Sequence, residues 1–378
     1  MKAKKIIKIS CIVLACLIGL FAVLVGGYVA YVAAQYSRIG DWLELEIADG
    51  RENSVRCGTE YSLLSYNLGF GAYSPEYSFF MDTGVMNDGK TVTGIYAKGM
   101  NRADVEKNVT GQLRVASEID ADFCFFQEVD ENADRSYHID MLARARQVFA
   151  GYCSAYAENF HTAYLLYPFN DPIGKSNAGI LTLSRYKIES AVRRAFPVTT
   201  AFPDKFFDLD RCFSVQYLPV ADSVAELVLI NLHMSAYDEG GAIRAKQLEM
   251  LNGVLKEERD KGNYVIAGGD FNHCLIADRF ESEEEALQYF KSEQKTPDWV
   301  KNSVLREAEL TEGFRIAANT NVATCRGADI PYREGVNYST VVDGFLVSDN
   351  VTVIEEKTID TQYAYSDHNP VLLRFELH

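Results

Sequence analysis

The sequence predicts an α/β (α+β) protein: one large domain of stacked sheets covered by helices, plus one N-terminal transmembrane helix. Three observations carry this. Apolar runs of strand length recur along the chain and interleave with segments of helical period. Many connections between them are too short or irregular for a regular strand–helix–strand series, so helices layered on stacked sheets fit better than one parallel sheet. The first 34 residues differ in kind from everything after them.

Residues 1–10 carry Lys2, Lys4, Lys5 and Lys8 and no acid, and residues 11–34 carry no charge at all. At about 1.5 Å per residue, 24 residues cross a hydrocarbon core of about 30 Å. A cleavable signal peptide has a shorter apolar region and a small-x-small cut site. The lysines before the span place the N-terminus inside and the remainder outside the cytoplasm. The organisation expected is a basic cytoplasmic N-terminus (1–10), a transmembrane signal anchor (11–34), a juxtamembrane segment (35–58) and one domain (59–378). This form suits a single-pass protein of a bacterial cell membrane, with a eukaryotic type II membrane protein as the alternative.

Within the domain, 61–66 reads as a short strand. Residues 70–101 are rich in glycine and aromatics and read as a long loop that covers a substrate, dips into lipid or packs on its own rings. Residues 108–119 read as a helix, 123–126 as an apolar strand, and Ile139, Leu142 and Phe149 suggest a second helix. Strands follow at 178–183 and 227–232. The spacing of Leu248, Leu251 and Leu255 predicts a helix over 241–258. Residues 264–267, 341–347 and 371–375 read as strands, and the charged stretch 281–309 as a surface helix.

Outside the four N-terminal lysines, 33 basic residues face 53 acidic ones, a net of −20. DNA affinity rests on neutralising phosphates, so this balance disfavours a broad nucleic-acid-binding face. Cys57, Cys124, Cys153, Cys212, Cys274 and Cys325 are scattered without a CxxC pair, which is neither a zinc pattern nor a dense disulfide framework. One or two disulfides are compatible with an outside location, with Cys124 a buried hydrophobe.

Six segments place polar groups at or beside strand ends: 65–67, 126–128, 231–233, 269–272, 342–344 and 366–368. Any one alone is most simply a solvated strand end. Together they hold what phosphoester hydrolysis needs. Carboxylates suit a hard cation such as Mg²⁺. Histidine suits proton transfer near neutral pH, and a carboxylate beside it fixes its tautomer.

The motifs LSYNLGF, FFQEVD, INLHMSAY, GGDFNH, VVDGFLVS and SDHNPV, in this order, resemble the endonuclease/exonuclease/phosphatase superfamily, with the DNase I-like fold. The resemblance runs from about residue 61 to the C-terminus. It implies a four-layer α/β sandwich with two central sheets, and Mg²⁺ as cofactor, with Mn²⁺ as the alternative. It implies that Glu128 is the main metal ligand with Asn67 beside it, and that Asp367 lies close to the metal. Asp270 would orient or deprotonate the attacking water, and Asn272 would hold a phosphate oxygen. His368, oriented by Asp343, would contact the scissile phosphate, with His233 a candidate acid for the leaving group. The stretch 232–237 followed by Arg244 and Gln247 looks closest to sphingomyelinase-like and lipid-phosphatase branches. Arg135, Asn177 and Arg244 are candidate substrate contacts, Arg135 being as readily one half of an ion pair.

The function expected is that of a membrane-anchored, Mg²⁺-dependent phosphoesterase acting on a phosphodiester or phosphomonoester, with a phospholipid head group or small phosphoester favoured as substrate. An extracellular nuclease is the alternative within the enzyme class, and an inactive membrane-tethered scaffold on the same fold the alternative outside it.

Overall fold

The computed structural model describes residues 2–236, 241–301 and 303–378. Met1, Tyr237 and Asn302, which belong to segments read above, lie outside the described residues. Two seven-stranded mixed sheets stack face to face. In one the strands run in the order Leu43–Glu44, Ser190–Ala195, Cys212–Pro219, Glu226–His233, Tyr264–Asp270, Asp343–Ser348, Phe314–Ala317. In the other they run Val351–Thr358, Val371–Leu377, Glu60–Asn67, Phe123–Asp130, Asn177–Ser184, Cys153–His161, Ile47–Ala48.

Each sheet holds one parallel pair near its middle. Glu60–Asn67 pairs with Phe123–Asp130, and the chain crosses between them through the helix Arg102–Ile119. Glu226–His233 pairs with Tyr264–Asp270 through the helix Ala242–Asp260. Parallel neighbours require such a crossover. The first helix is capped by the Asn101 side chain, which accepts from Asp104 N.

Alternation along the strands divides the apolar residues between layers. Leu63, Phe123, Phe125, Leu229, Ile266, Phe345 and Phe375 fill the space between the sheets. Leu64, Phe126 and Leu181 face the first helix, while Val228, Ile230 and Val265 pack with Leu251 and Leu255 of the second. The result is the four-layer order helix, sheet, sheet, helix.

Several local expectations needed revision. The 70–101 segment is mostly loop, as expected, but it carries a short hairpin, Thr83–Val85 against Thr91–Thr93. Its aromatics pack on one another, with Tyr77 stacked on Tyr96 at 5.6 Å and Phe70, Tyr73 and Tyr77 buried. Among its described residues the charged 281–309 stretch is mostly irregular, with helical turns only at Glu283–Leu287, Asp298–Lys301 and Glu307–Glu309. Pro297 interrupts it, and Gln294 turns inward to receive Tyr338 N at 2.7 Å. All eight cysteines are free thiols, and five of the six beyond the apolar helix are buried in the domain.

The N-terminal helix Lys2–Gln35 is long and apolar enough to cross a membrane or to serve as a signal sequence. Its last turns touch the domain, where Val32 is buried. Just beyond it Arg38 donates to the carbonyls of Thr199, Lys205, Asp208 and Leu209 and to Asp210 Oδ1.

Candidate active site

Strand parity aims most of the site. Counting two by two from Leu63, Leu229, Ile266 and Phe345, all buried between the sheets, reaches Asn67, His233, Asp270 and Asp343 at the strand ends. Register then sets His233 beside Asp270 and Asp270 beside Asp343 across three adjacent strands. The close approach needs glycine at two positions. A Cβ on Gly268 would lie 2.4 Å from Phe345 Cδ1, and one on Gly269, whose φ is +141°, would lie 2.1 Å from Leu232 O.

Glu128 is placed differently. By parity it would join Cys124 and Phe126 under the first helix. The pairing of its strand with Asn177–Ser184 instead skips between Phe126 and Val129, and Glu128 has φ of +54°. Such a bulge re-aims a side chain, and Asn67 Nδ2 donates to Glu128 Oε1 at 3.3 Å. The same Nδ2 donates to Asp270 Oδ2 at 3.0 Å, so Asn67 bridges the two sheets at the site. Just below, Gln127 Nε2 donates to Asn231 Oδ1 at 2.8 Å, a second polar tie between the sheets.

The 366–369 turn delivers the rest. Ser366 Oγ donates to Asn67 O at 2.8 Å, and Arg326 N donates to Asp367 O at 3.0 Å. His368 Nδ1 then lies 2.7 Å from Asp343 Oδ2, and its Nε2 lies 3.8 Å from Asp270 Oδ2. His233 Nε2 approaches the same Asp270 oxygen at 3.4 Å. Asn272 N donates to Asp270 Oδ1, and Asn272 Nδ2 donates to Met234 O. Asn67, Glu128, His233, Asp270, Asn272, Asp343, Asp367 and His368 thus converge on one edge, the C-terminal end of both parallel pairs, where open α/β sheets bind ligands.

The electrostatics follow from burial and neighbours. Burial pushes Asp270 up to about 7, with Asp343 adding to the rise and His368 opposing it. Burial likewise pushes Asp367 up to about 6, with the Glu128 carboxylate adding to it. Burial alone would lower His368, but Asp343, Cys325 and Asp270 together hold it well above 6.5. His233 is held well below 6.5 by burial and by the charges of Arg211, His368 and Arg135, so it is neutral and its contact with Asp270 is not an ion pair.

The three candidate substrate contacts stand outside this cluster's hydrogen bonds. Arg135 pairs in bidentate fashion with buried Asp130, at 2.7 and 3.1 Å, and its guanidinium lies 4.1 Å from the Phe70 ring centre. Asn177 begins its strand opposite His161, and its carbonyl accepts from Glu131 N. Arg244 donates from Nη1 to Ala236 O and Trp299 O, tying the segment after His233 to a neighbouring turn.

Two basic residues escaped the sequence reading. Arg326 is buried and donates to Ser74 O, and its charge bears on Asp367. Arg211 is buried, with Nε and Nη1 lacking a hydrogen-bond partner among the described residues. Neither stands in a recognisable motif; only tertiary packing brings them to the site.

The donor set fits a hard divalent cation. Ligand atoms of Asp270, Asp343 and His368 lie within 4.8 Å of one another, and Asp343 Oδ1 is a buried acceptor without a partner. His368 has already given Nδ1 to Asp343, which suits that pair to handling a proton. Glu128 and Asp367 add carboxylates whose mutual repulsion a cation would relieve.

The family model described as the Endonuclease/Exonuclease/phosphatase family matches residues 64–368. A search of curated proteins gives no match. Among solved structures, an endonuclease/exonuclease/phosphatase protein from Beutenbergia cavernae aligns at TM-score 0.54 and 16% identity, covering 84% of this chain and 72% of that one. ANGEL2, a 2′,3′-cyclic phosphatase bound to adenosine-2′,3′-vanadate, aligns at TM-score 0.52 and 15% identity, covering 89% and 99%. Truncated TDP2 from Caenorhabditis elegans aligns at 0.49 and 16% identity, covering 85% and 98%. The first two of these, at identities this low, speak for the fold alone. The family match extends from the strand that carries Asn67 to the turn that carries His368, and with it the chain belongs to the endonuclease/exonuclease/phosphatase family, whose members are metal-dependent hydrolases of phosphate esters.

Proposed function

We propose that the protein is a membrane-anchored, Mg²⁺-dependent phosphoesterase that hydrolyses a phospholipid head group or a small phosphoester outside the cytoplasm. The observation that carries this reading is the buried Asp343–His368–Asp270 set beside the Asn67–Glu128 pair. An inactive scaffold has no use for such a set, because buried carboxylates without a cation are costly to keep. The bound cation, held by Glu128 with Asn67 and Asp367 beside it, would offset phosphate charge and stabilise the transition state. Mn²⁺ has the same ligand preferences.

The chain's own residues divide the remaining work. Asp270, raised towards neutrality, orients a water and accepts its proton as the new P–O bond forms. The His368 imidazolium, its Nδ1–H donated to Asp343, turns Nε2–H to a phosphate oxygen. Asn272 and Arg211 add donors at the mouth. His233 is neutral in the free protein, and an entering phosphate anion raises its proton affinity, which suits it to protonate the leaving oxygen. Asp130 already holds Arg135, so we assign it to positioning this wall. We assign Asn177 and Arg244 to the rim, since Asn177 starts the strand paired with that of Glu128 and Arg244 holds the segment after His233.

Hydrolysis of sphingomyelin, phosphoinositides, bis-p-nitrophenyl phosphate and plasmid DNA by the full chain in Mg²⁺ tests the reading, with His368→Ala as control. Lipid turnover that the variant loses, with DNA untouched, supports it. DNA nicking with steep salt dependence would make the protein a nuclease instead.

A further inference from the structure

We infer that the loop joining strands Cys153–His161 and Asn177–Ser184 is a membrane-seated wedge that holds the catalytic mouth against the bilayer. This rests on the phosphoesterase reading above and deepens it: the substrate would be a phosphoester at the surface of the same membrane that holds the N-terminal helix.

The loop is bound to that helix directly. Tyr28 OH donates to Tyr164 O at 3.2 Å and accepts from Leu166 N at 3.1 Å, while Tyr31 OH accepts from Tyr164 N at 3.2 Å. With the uncharged segment starting at residue 11, about 20 residues fill the hydrocarbon core. Tyr31 then stands at the outer interface, where tyrosine is enriched, and Tyr28 one turn below it at the edge of the core. Whatever hydrogen-bonds to them stands at the same depth.

The loop's composition fits that depth. Tyr164, Leu166 and Tyr167 are exposed, and Phe169 is 83% exposed. Phe202 and Phe207, also exposed, extend the apolar surface on the segment that Arg38 clamps. The Leu165–Gly174 backbone bonds close the hairpin on which these side chains are exposed. At a bilayer they enter the boundary between head groups and acyl chains, about 5–10 Å deep.

The loop also stands on the catalytic side. It leaves the sheet at His161 and returns at Asn177, the end where Glu128 and Asn67 lie. Asp134 N donates to Lys175 O, Asp171 pairs with Lys98 at 2.7 Å, and Tyr167 meets Phe80 at 5.7 Å. The wedge is therefore braced against the elements that border the mouth. Seating it turns the mouth to the membrane, and the turn bearing Val224, at the other end of the sheets, away from it.

The test uses the full chain in nanodiscs of phosphatidylcholine, with and without brominated acyl chains. Trp42 and Trp299 are replaced by phenylalanine, and a single tryptophan is placed by Phe169→Trp or, as control, Val224→Trp. Val224 is fully exposed and far from the loop. The expected result is at least twofold quenching by brominated lipid at position 169 and none at 224. Equal quenching at the two positions, or none at 169, overturns the proposal whether or not the protein hydrolyses anything. A second arm compares Phe169→Glu with the parent. Turnover of a phospholipid in vesicles should fall tenfold or more, with soluble bis-p-nitrophenyl phosphate unaffected. Equal effects on both substrates would contradict the seat, whereas absence of all turnover in the parent would sink the phosphoesterase reading and leave the quenching result to decide the wedge.

Discussion

Removing Arg135 should cost the protein more in stability than in substrate affinity. Asp130 is 0% exposed, and both its oxygens accept from Arg135. Burial already pushes Asp130 above the usual carboxylate range, and the guanidinium is what opposes that rise. In Arg135→Met the carboxylate must either stay charged without a partner or take up a proton. Loss of one member of a buried pair costs about 3–5 kcal/mol. Packing over Phe70 adds a smaller loss. Replacing both partners, as Asp130→Asn with Arg135→Met, should recover at least half of that loss because no buried charge is left behind. Urea denaturation of the detergent-solubilised full chain, followed by circular dichroism, measures each value. If Arg135→Met loses less than about 1 kcal/mol yet raises KM tenfold, the guanidinium serves substrate and the positioning argument is wrong.

His368→Ala should lower kcat by about 10²–10⁴ and Asp343→Asn by a smaller factor, since Asp343 acts through the imidazole it orients; steady-state kinetics on a soluble diester compares them. Gly268→Ala should destabilise by about 1–3 kcal/mol, because its Cβ meets Phe345 at 2.4 Å; an unchanged denaturation midpoint would refute the packing argument. The Asp210 carboxylate, 3.1 Å from His161 Nδ1, raises the His161 pKa against burial. Its stabilisation is therefore fully present below the unfolded value of about 6.5 and is lost as pH rises through the folded value. His161→Gln should abolish that part of the pH dependence of unfolding.

What the sequence made legible and what it hid have physical reasons. Apolar runs such as 123–126 and 264–267 belong to strands buried on both faces, so hydrophobicity alone marks them. The candidate site residues stood out because polar types close those apolar runs, and the motifs that resemble the family supplied their expected roles. Strand Ser190–Ala195 was hidden because Arg193, though buried, breaks its apolar pattern; its guanidinium donates to the carbonyls of Glu158, Gly40 and Asp210. Val351–Thr358 was hidden because it lies at a sheet edge and carries Glu355, Glu356 and Lys357. The Glu128 bulge has no sequence signal, since left-handed backbone at glutamate is imposed by the sheet around it. The contacts of Tyr28 and Tyr31 were equally invisible, because a uniformly apolar helix does not reveal which face meets the domain.

Hydrolysis of bis-p-nitrophenyl phosphate by the full chain across an Mg²⁺ titration, with Glu128→Gln alongside, tests the metal-dependent phosphoesterase assignment. Turnover should saturate with Mg²⁺, vanish with chelator, and in the variant fall at least a hundredfold with a higher Mg²⁺ requirement. Turnover that ignores the chelator, or that Glu128→Gln leaves intact, would contradict it.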